Sequence, residues 1–241
     1  MKQIFLFLLT IPFYSVRGQE TKYHAGKNKL SIGFNFSPDY NFRALKNNDG
    51  SSSSDIIIKT RNDAEIGKFG YTTGFNICFS LAKMIRFETG IQYSNKGYQT
   101  KKQDLIYQQP NPGLPVRSKF IYNYGYIDIP FALNFTMGKS KARFVSSAGF
   151  TTNFLIKETQ TNILEYANGK SDKKKQPATF DYKKVDISPL ISIGIDYKIN
   201  DKMVLRATPT FRYGVLKIID TPVTEYLWNA GIDIGFYYGL R

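Results

Sequence analysis

The chain of 241 residues holds a single cysteine, a single histidine and a single tryptophan. The lone Cys78 excludes an intrachain disulfide framework and any metal site built on several cysteines. The lone His24 excludes catalytic and metal arrangements that rely on histidine pairs. Long hydrophobic runs are missing too. The most apolar stretch, Ile4–Tyr14, falls far short of the roughly 20 residues of a spanning helix, so no transmembrane helix is expected. Acidic residues are scarce, 19 against 33 Lys and Arg, which leaves a net charge of +14. No glycine-rich phosphate loop, zinc spacing or Walker motif is found. What the chain has in quantity is aromatic residues, 17 Tyr and 19 Phe, within a hydrophobic content of 42% that excludes a disordered chain. At roughly 100–200 residues per domain, one domain is expected.

The N-terminus reads as a targeting segment. Lys2 supplies a positive start, Ile4–Tyr14 a short apolar region, and Ser15-Val16-Arg17-Gly18 a cleavage site before Gln19. Residues 1–18 are therefore expected to be a secretory signal peptide, and 19–28 a short periplasmic segment. No cysteine follows the cleavage site, which argues against a lipid anchor.

Beyond residue 28 the dominant pattern has period two, the signature of strands with unlike faces. In Leu30–Ser37 the even positions are large and apolar and the odd ones small or polar. Seven further segments repeat the alternation: 69–81, 85–96, 126–137, 142–156, 185–199, 203–215 and 226–240. No stretch of the mature chain holds a 3.6 period for three turns, so no helix is expected. Short connections at 82–84, 138–141 and 200–202 alternate with long polar ones at 38–68, 97–125, 157–184 and 216–225. Short turns at one end and long loops at the other are the layout of an eight-stranded antiparallel up-and-down transmembrane β-barrel. Parity agrees. The three-residue turns keep the apolar face on odd numbers, and the four-residue turn switches it to even.

Volume decides which face meets lipid. On the order of 40 large apolar residues alternate along the strands, while a packed eight-stranded interior holds only about a dozen. The apolar face is therefore expected outside, with aromatics gathered toward both strand ends as girdles: Tyr71, Tyr93, Phe154, Tyr213, Tyr226 and Trp228 at the long-loop end, and Phe79, Phe87, Phe135, Phe144, Tyr197 and Tyr238 at the other. The alternative is a secreted soluble lipocalin-like barrel that binds a small apolar ligand, with the faces reversed. Charged residues fall at inward positions: Arg86, Glu88, Asp128, Arg143, Asp186, Asp196, Arg206, Arg212 and Asp233. Charges at membrane depth face a polar interior and pair. A lumen-filling ion network is expected from Arg86, Glu88, Asp128, Arg143, Asp196, Arg206 and Asp233. Counting outward from Asp201 sets Asp196 opposite Arg206. A competing reading takes Glu88 beside Asp128 as a carboxylate pair for acid–base work. Pro130, Pro189 and Pro209 each lack a donor and are expected to mark bulges.

Tyr126-Ile127-Asp128-Ile129-Pro130-Phe131-Ala132-Leu133-Asn134-Phe135 resembles the Y-hydrophobic-E-I-P-hydrophobic strand of PorT-like outer-membrane β-barrel proteins of the Bacteroidota. Phe87–Gly97 and the closing Gly231–Phe236 are similar to that family as well, and the likeness spans most of residues 29–240. Asp233, Gly235, Tyr238 and Leu240 resemble the C-terminal assembly signal of such barrels, from which Arg241 departs. The resemblance implies an integral barrel in the outer membrane, in a family whose namesake is tied to a secretion system. With its histidine ahead of the first strand, the barrel is expected to be no enzyme and to use no cofactor. A structural or partner-binding role through the long loops is expected, without a wide pore. The expected partners are outer-membrane lipid, lipopolysaccharide at the loop lysines, and a protein at the loops or the periplasmic rim. No basic stripe with interleaved aromatics points to nucleic acid.

Overall fold

The computed structural model describes residues 29–109, 111, 113–177 and 181–240. The expected signal peptide, the 19–28 segment, His24 and Arg241 lie outside them. The strands are β1 (Leu30–Asn47), β2 (Glu65–Ser80), β3 (Ile85–Thr100), β4 (Gln103–Asp104), β5 (Pro115–Met137), β6 (Ala142–Tyr166), β7 (Ser171–Pro177), β8 (Val185–Lys198), β9 (Met203–Tyr213) and β10 (Val223–Leu240). A helix, α1 (Ser52–Ala64), links β1 to β2.

Eight of the strands close into a ring in the order β1-β2-β3-β5-β6-β8-β9-β10, each antiparallel to its neighbours, with β10 pairing back onto β1 from Leu30↔Leu240 to Asn47↔Val223. The two-residue β4 extends the edge of β5, and β7 extends that of β6. The short turns lie at the end where Leu30 meets Phe79 and Leu240. All-β closure follows from the alternation, because period two gives every strand one face for lipid and one for the lumen. Large apolar side chains stand on the outside: Phe75 is 69% exposed and Ile191 62%, while Asn35, Thr72 and Asn153 are sealed inside. A lipocalin-like barrel needs the reverse, so that alternative is set aside.

The strands outrun the alternation. A bulge explains why at β6: Gly125 faces Lys157 but Tyr126 faces Leu155, leaving Ile156 as the extra residue. One added residue flips every later side chain to the other face, so period two breaks at 156 while the strand continues to Tyr166. β2 does the same between Gly67 and Tyr71. Much of what reads as long loop is therefore barrel wall. With 25 residues, β6 is more than twice the roughly 9–11 a tilted strand needs to cross a bilayer.

Two other expectations are corrected. Helix α1 occupies a stretch where none is expected, because its stability is not in a hydrophobic stripe. The Ser51 hydroxyl caps it by accepting from the Ser54 amide at 3.1 Å, and Asp55 sits in its first turn. Pro130, Pro189 and Pro209 mark no bulges. At Pro130 and Pro209, and also at Pro38, one ladder skips a step and resumes in the same register; at Pro189 the β6–β8 ladder is unbroken. A missing N–H removes a bond without inserting a residue, which is what a bulge requires.

Above the polar lumen, toward the long-connection end, the inner wall turns aromatic. Tyr98, Tyr124, Tyr126, Leu155 and Leu227 pack with Tyr182, Ile218 and Ile219, which fold inward from the connections. The rings of Tyr98 and Tyr122 lie 4.8 Å apart, and those of Tyr124 and Tyr182 5.1 Å. Burial pushes the Tyr182 phenol up to about 12, so this cap stays neutral across the physiological range.

Candidate functional site

The most connected group of side chains is the polar filling of the lumen. Its hub is Glu88 on β3, whose carboxylate accepts five hydrogen bonds: from Asn76 Nδ2 at 2.8 Å, Cys78 Sγ at 3.3 Å, Asn134 Nδ2 at 2.6 Å, Arg206 Nη1 at 2.9 Å and the Tyr237 hydroxyl at 2.9 Å. The donors come from β2, β5, β9 and β10, so one carboxylate ties four other strands together. Arg206 also forks onto Asp196, Nε to Oδ1 at 2.7 Å and Nη2 to Oδ2 at 3.2 Å, across the register pair Asp196↔Arg206. Its guanidinium lies 4.7 Å from the Tyr237 ring centre. Arg143 Nη2 stands 3.9 Å from Asp196. Arg86 faces Asn134 and Ser80 on the same inner wall and forms no ion pair among the described residues.

A second tier sits further along the axis. Arg212 lies between Asp233, at 3.6 Å, and Asp39, at 4.0 Å. Asp233 accepts from Asn35 Nδ2 at 2.8 Å, and Gln92 links Asn35 to Asn76 below. Asp128 belongs to a third group: it accepts from Asn153 Nδ2 at 2.7 Å and lies 3.8 Å from Lys96. Asn153 in turn accepts from Ser188, which reaches Asp186 at 3.4 Å.

The carboxylate-pair reading is therefore corrected. Glu88 faces Ala132 and Asp128 faces Gln92, two inward steps apart with Gly90 and Pro130 between, because the β3–β5 register aligns residues that sum differently from the pairing assumed. Each carboxylate has its own cation and amides, and the two have no partner in common. Tyr237 was missed as a member of the network. Its odd position beside Gly235 marks it as inward, and its ring lies where a Cβ on Gly33 or Gly235 would stand 2.5 or 2.6 Å away. Gly33→Ala should push the ring off its seat and cost about 1–3 kcal/mol of barrel stability, read as a lower urea midpoint in lipid vesicles.

The filling leaves a cavity of about 50 Å³ lined by Glu88, Arg206, Arg212, Asp233 and Tyr237 among others. At roughly 10–15 Å³ per water this has room for a few waters. Among the described residues no group of His, Cys, Asp and Glu is placed to hold a metal ion.

At the mouth, α1 is fastened to the barrel by charge. Glu65 accepts from Arg43 and Arg61, each at 2.8 Å, and Arg61 also pairs with Glu225 at 2.8 Å. Burial alone would lower the Arg61 pKa, but the hydrogen bond to Glu65 and the charge of Glu225 raise it above its usual value, so Arg61 stays charged. Glu225→Gln should leave the barrel folded and free the helix. The amides of 52–64 should then exchange hydrogen at least about tenfold faster, a local opening cost of over about 1 kcal/mol.

A ring of eight antiparallel strands, apolar outside and ion-paired within, is the setting in which the family comparison falls. The model of the family described as outer membrane protein beta-barrel domain matches residues 18–219. The chain belongs to this family. As a member of the outer membrane protein beta-barrel domain family it is an integral barrel of the outer membrane, and its apolar outer wall is lipid-facing surface. Compared with curated proteins, the chain has no significant match. Similar solved structures include Neisserial surface protein A (10% identity, 88% of this chain and 97% of that one, TM-score 0.45). OprG from Pseudomonas aeruginosa is similar at 11% identity over 90% and 99%, with a TM-score of 0.48. The outer membrane protease OmpT from Escherichia coli is similar at 8% over 92% and 99%, with a TM-score of 0.32. At such identities these likenesses carry nothing about activity.

Proposed function

We propose that this outer-membrane barrel is a closed, non-enzymatic structural or partner-binding protein that works through its extracellular wall and not through its lumen. The observation that carries this reading is the lumen itself. Glu88, Arg206, Asp196, Arg212 and Asp233 fill it with charges of both signs within ion-pair distance, and the cavity of about 50 Å³ that they line is too small for a solute. The exposed mass lies instead in β5, β6 and β7 beyond the membrane span. We further propose export by a cleaved leader, residues 1–18, and membership of the PorT-like branch of the Bacteroidota, which rests on the motif at 126–135. A purified barrel in planar bilayers should give no steady wide-channel current. Mild crosslinking on cells should yield a discrete partner adduct that is lost when β7 and its hairpin are deleted. A stable large conductance, or an adduct unchanged by that deletion, would sink the reading.

A further inference from the structure

Beyond the bilayer, β5 and β6 continue as a wall, with β4 and β7 added at its edges. Directly paired residues of antiparallel strands share a face, so the registers give each face its composition. The inner face carries Tyr122, stacked on Tyr98. The outer face continues the lipid-facing side of Ile127 and Phe154, and changes in character. Lys157 stands opposite Gly125, Lys175 joins Thr161 and Ile121 in one row, and Lys173 joins Ile163 and Lys119 in the next. None of these four lysines, Lys119, Lys157, Lys173 and Lys175, has an ion-pair partner among the described residues. The nearby acids of this face are engaged elsewhere, Glu165 by Lys102 at 2.5 Å and Asp104 by Arg117 at 3.0 Å.

Height identifies the occupant. Lys157, opposite Gly125, is two residues above Ile127, the register partner of the girdle residue Phe154, about 5 Å along the membrane normal for a strand tilted by about 40°. The Ile121 row is six residues above it, about 15 Å by the same conversion. A phospholipid headgroup layer reaches only about 5–8 Å beyond the hydrocarbon. Unpaired cations spread from about 5 to beyond 15 Å match a thicker anionic layer, and half-buried isoleucines between them suit the carbon faces of sugars.

We infer that the outer face of β5–β6–β7 binds the phosphorylated oligosaccharide headgroup of a glycolipid in the outer leaflet. The inference rests on the membrane orientation proposed above. It names the phosphate-bearing lipid as the partner of this face and the four lysines as its contacts.

The test uses the full barrel purified in detergent, rough lipopolysaccharide, and the same lipopolysaccharide after enzymatic dephosphorylation, with bound glycolipid counted by native mass spectrometry. The native chain should retain the phosphorylated form about tenfold better than the dephosphorylated one, as expected for several surface cations meeting phosphates. A chain with Lys119→Gln, Lys157→Gln, Lys173→Gln and Lys175→Gln should lose that preference, and the matching four Lys→Arg changes should keep it. All should retain heat-modifiable gel migration, since the substitutions lie outside the spanning ring. Equal retention of the two glycolipids by the native chain, or an unchanged preference in the Gln variant, overturns the inference. So does displacement of the lipid by poly-glutamate at lower concentration, which would assign the face to an acidic protein. Recovery of the native chain in the soluble fraction without heat-modifiable migration would instead overturn the membrane orientation, a separate readout.

Discussion

Replacing Glu88 by alanine should cost about 3–5 kcal/mol of barrel stability, the penalty for removing one partner of a buried ion pair and leaving the other uncompensated. Five donors lose their acceptor at once, among them the Arg206 guanidinium and the Tyr237 hydroxyl. Arg206 keeps Asp196, so the loss should stop short of unfolding. Glu88→Gln keeps one acceptor oxygen for Asn76 and Tyr237 but turns an amide toward Arg206, and should cost less than alanine. The measurement is reversible urea unfolding in lipid vesicles, followed by the heat-modifiable gel shift. A change below about 1 kcal/mol for Glu88→Ala would mean that the lumen network does not hold the strands together.

Phe131→Arg should cost about 2–4 kcal/mol, the range for a cation placed at mid-depth on the lipid face of a barrel. Phe131 stands mid-strand on the outside of β5, its ring 5.3 Å from that of Phe150 and 6.5 Å from that of Phe87. The control is on the same strand and the same face. Asn123→Arg, above the girdle, should cost only about 0–1 kcal/mol because the cation there meets water and headgroups. The same unfolding assay compares them. Equal costs at the two positions would mean that the assigned membrane depth is wrong.

These two residues mark how far the sequence alone can be read. Phe131 was legible, because a side chain's face in a strand is a matter of counting by two, and the barrel class followed from that counting with a volume argument. Asp196 and Arg206 were legible as neighbours because a three-residue turn fixes their register locally. The partners of Glu88 were not. They sit on strands that come close only when the ring closes with a particular stagger, which no local pattern encodes. The bulge at Ile156 was equally hidden, since one inserted residue looks like the end of a pattern and not like its continuation on the other face. Helix α1 was unreadable for a third reason: its fastening to Arg43 and Glu225 is long-range charge, and its isoleucines at 56–58 form no stripe.

The seam between β1 and β10 has a consequence for how the protein is made. It joins the earliest strand among the described residues to the latest, so no ring exists until β10 has been delivered, and every contact across the seam spans nearly the whole chain. Until then the chain carries two unpaired strand edges and an uncovered apolar wall, a combination prone to sticking. Tyr237 and Asp233 arrive with that last strand and complete the shells around Glu88 and Arg212. The shells of Glu88 and Arg212 are thus complete only in a ring that has closed in the right register, whereas Asp196 and Arg206 meet within one hairpin.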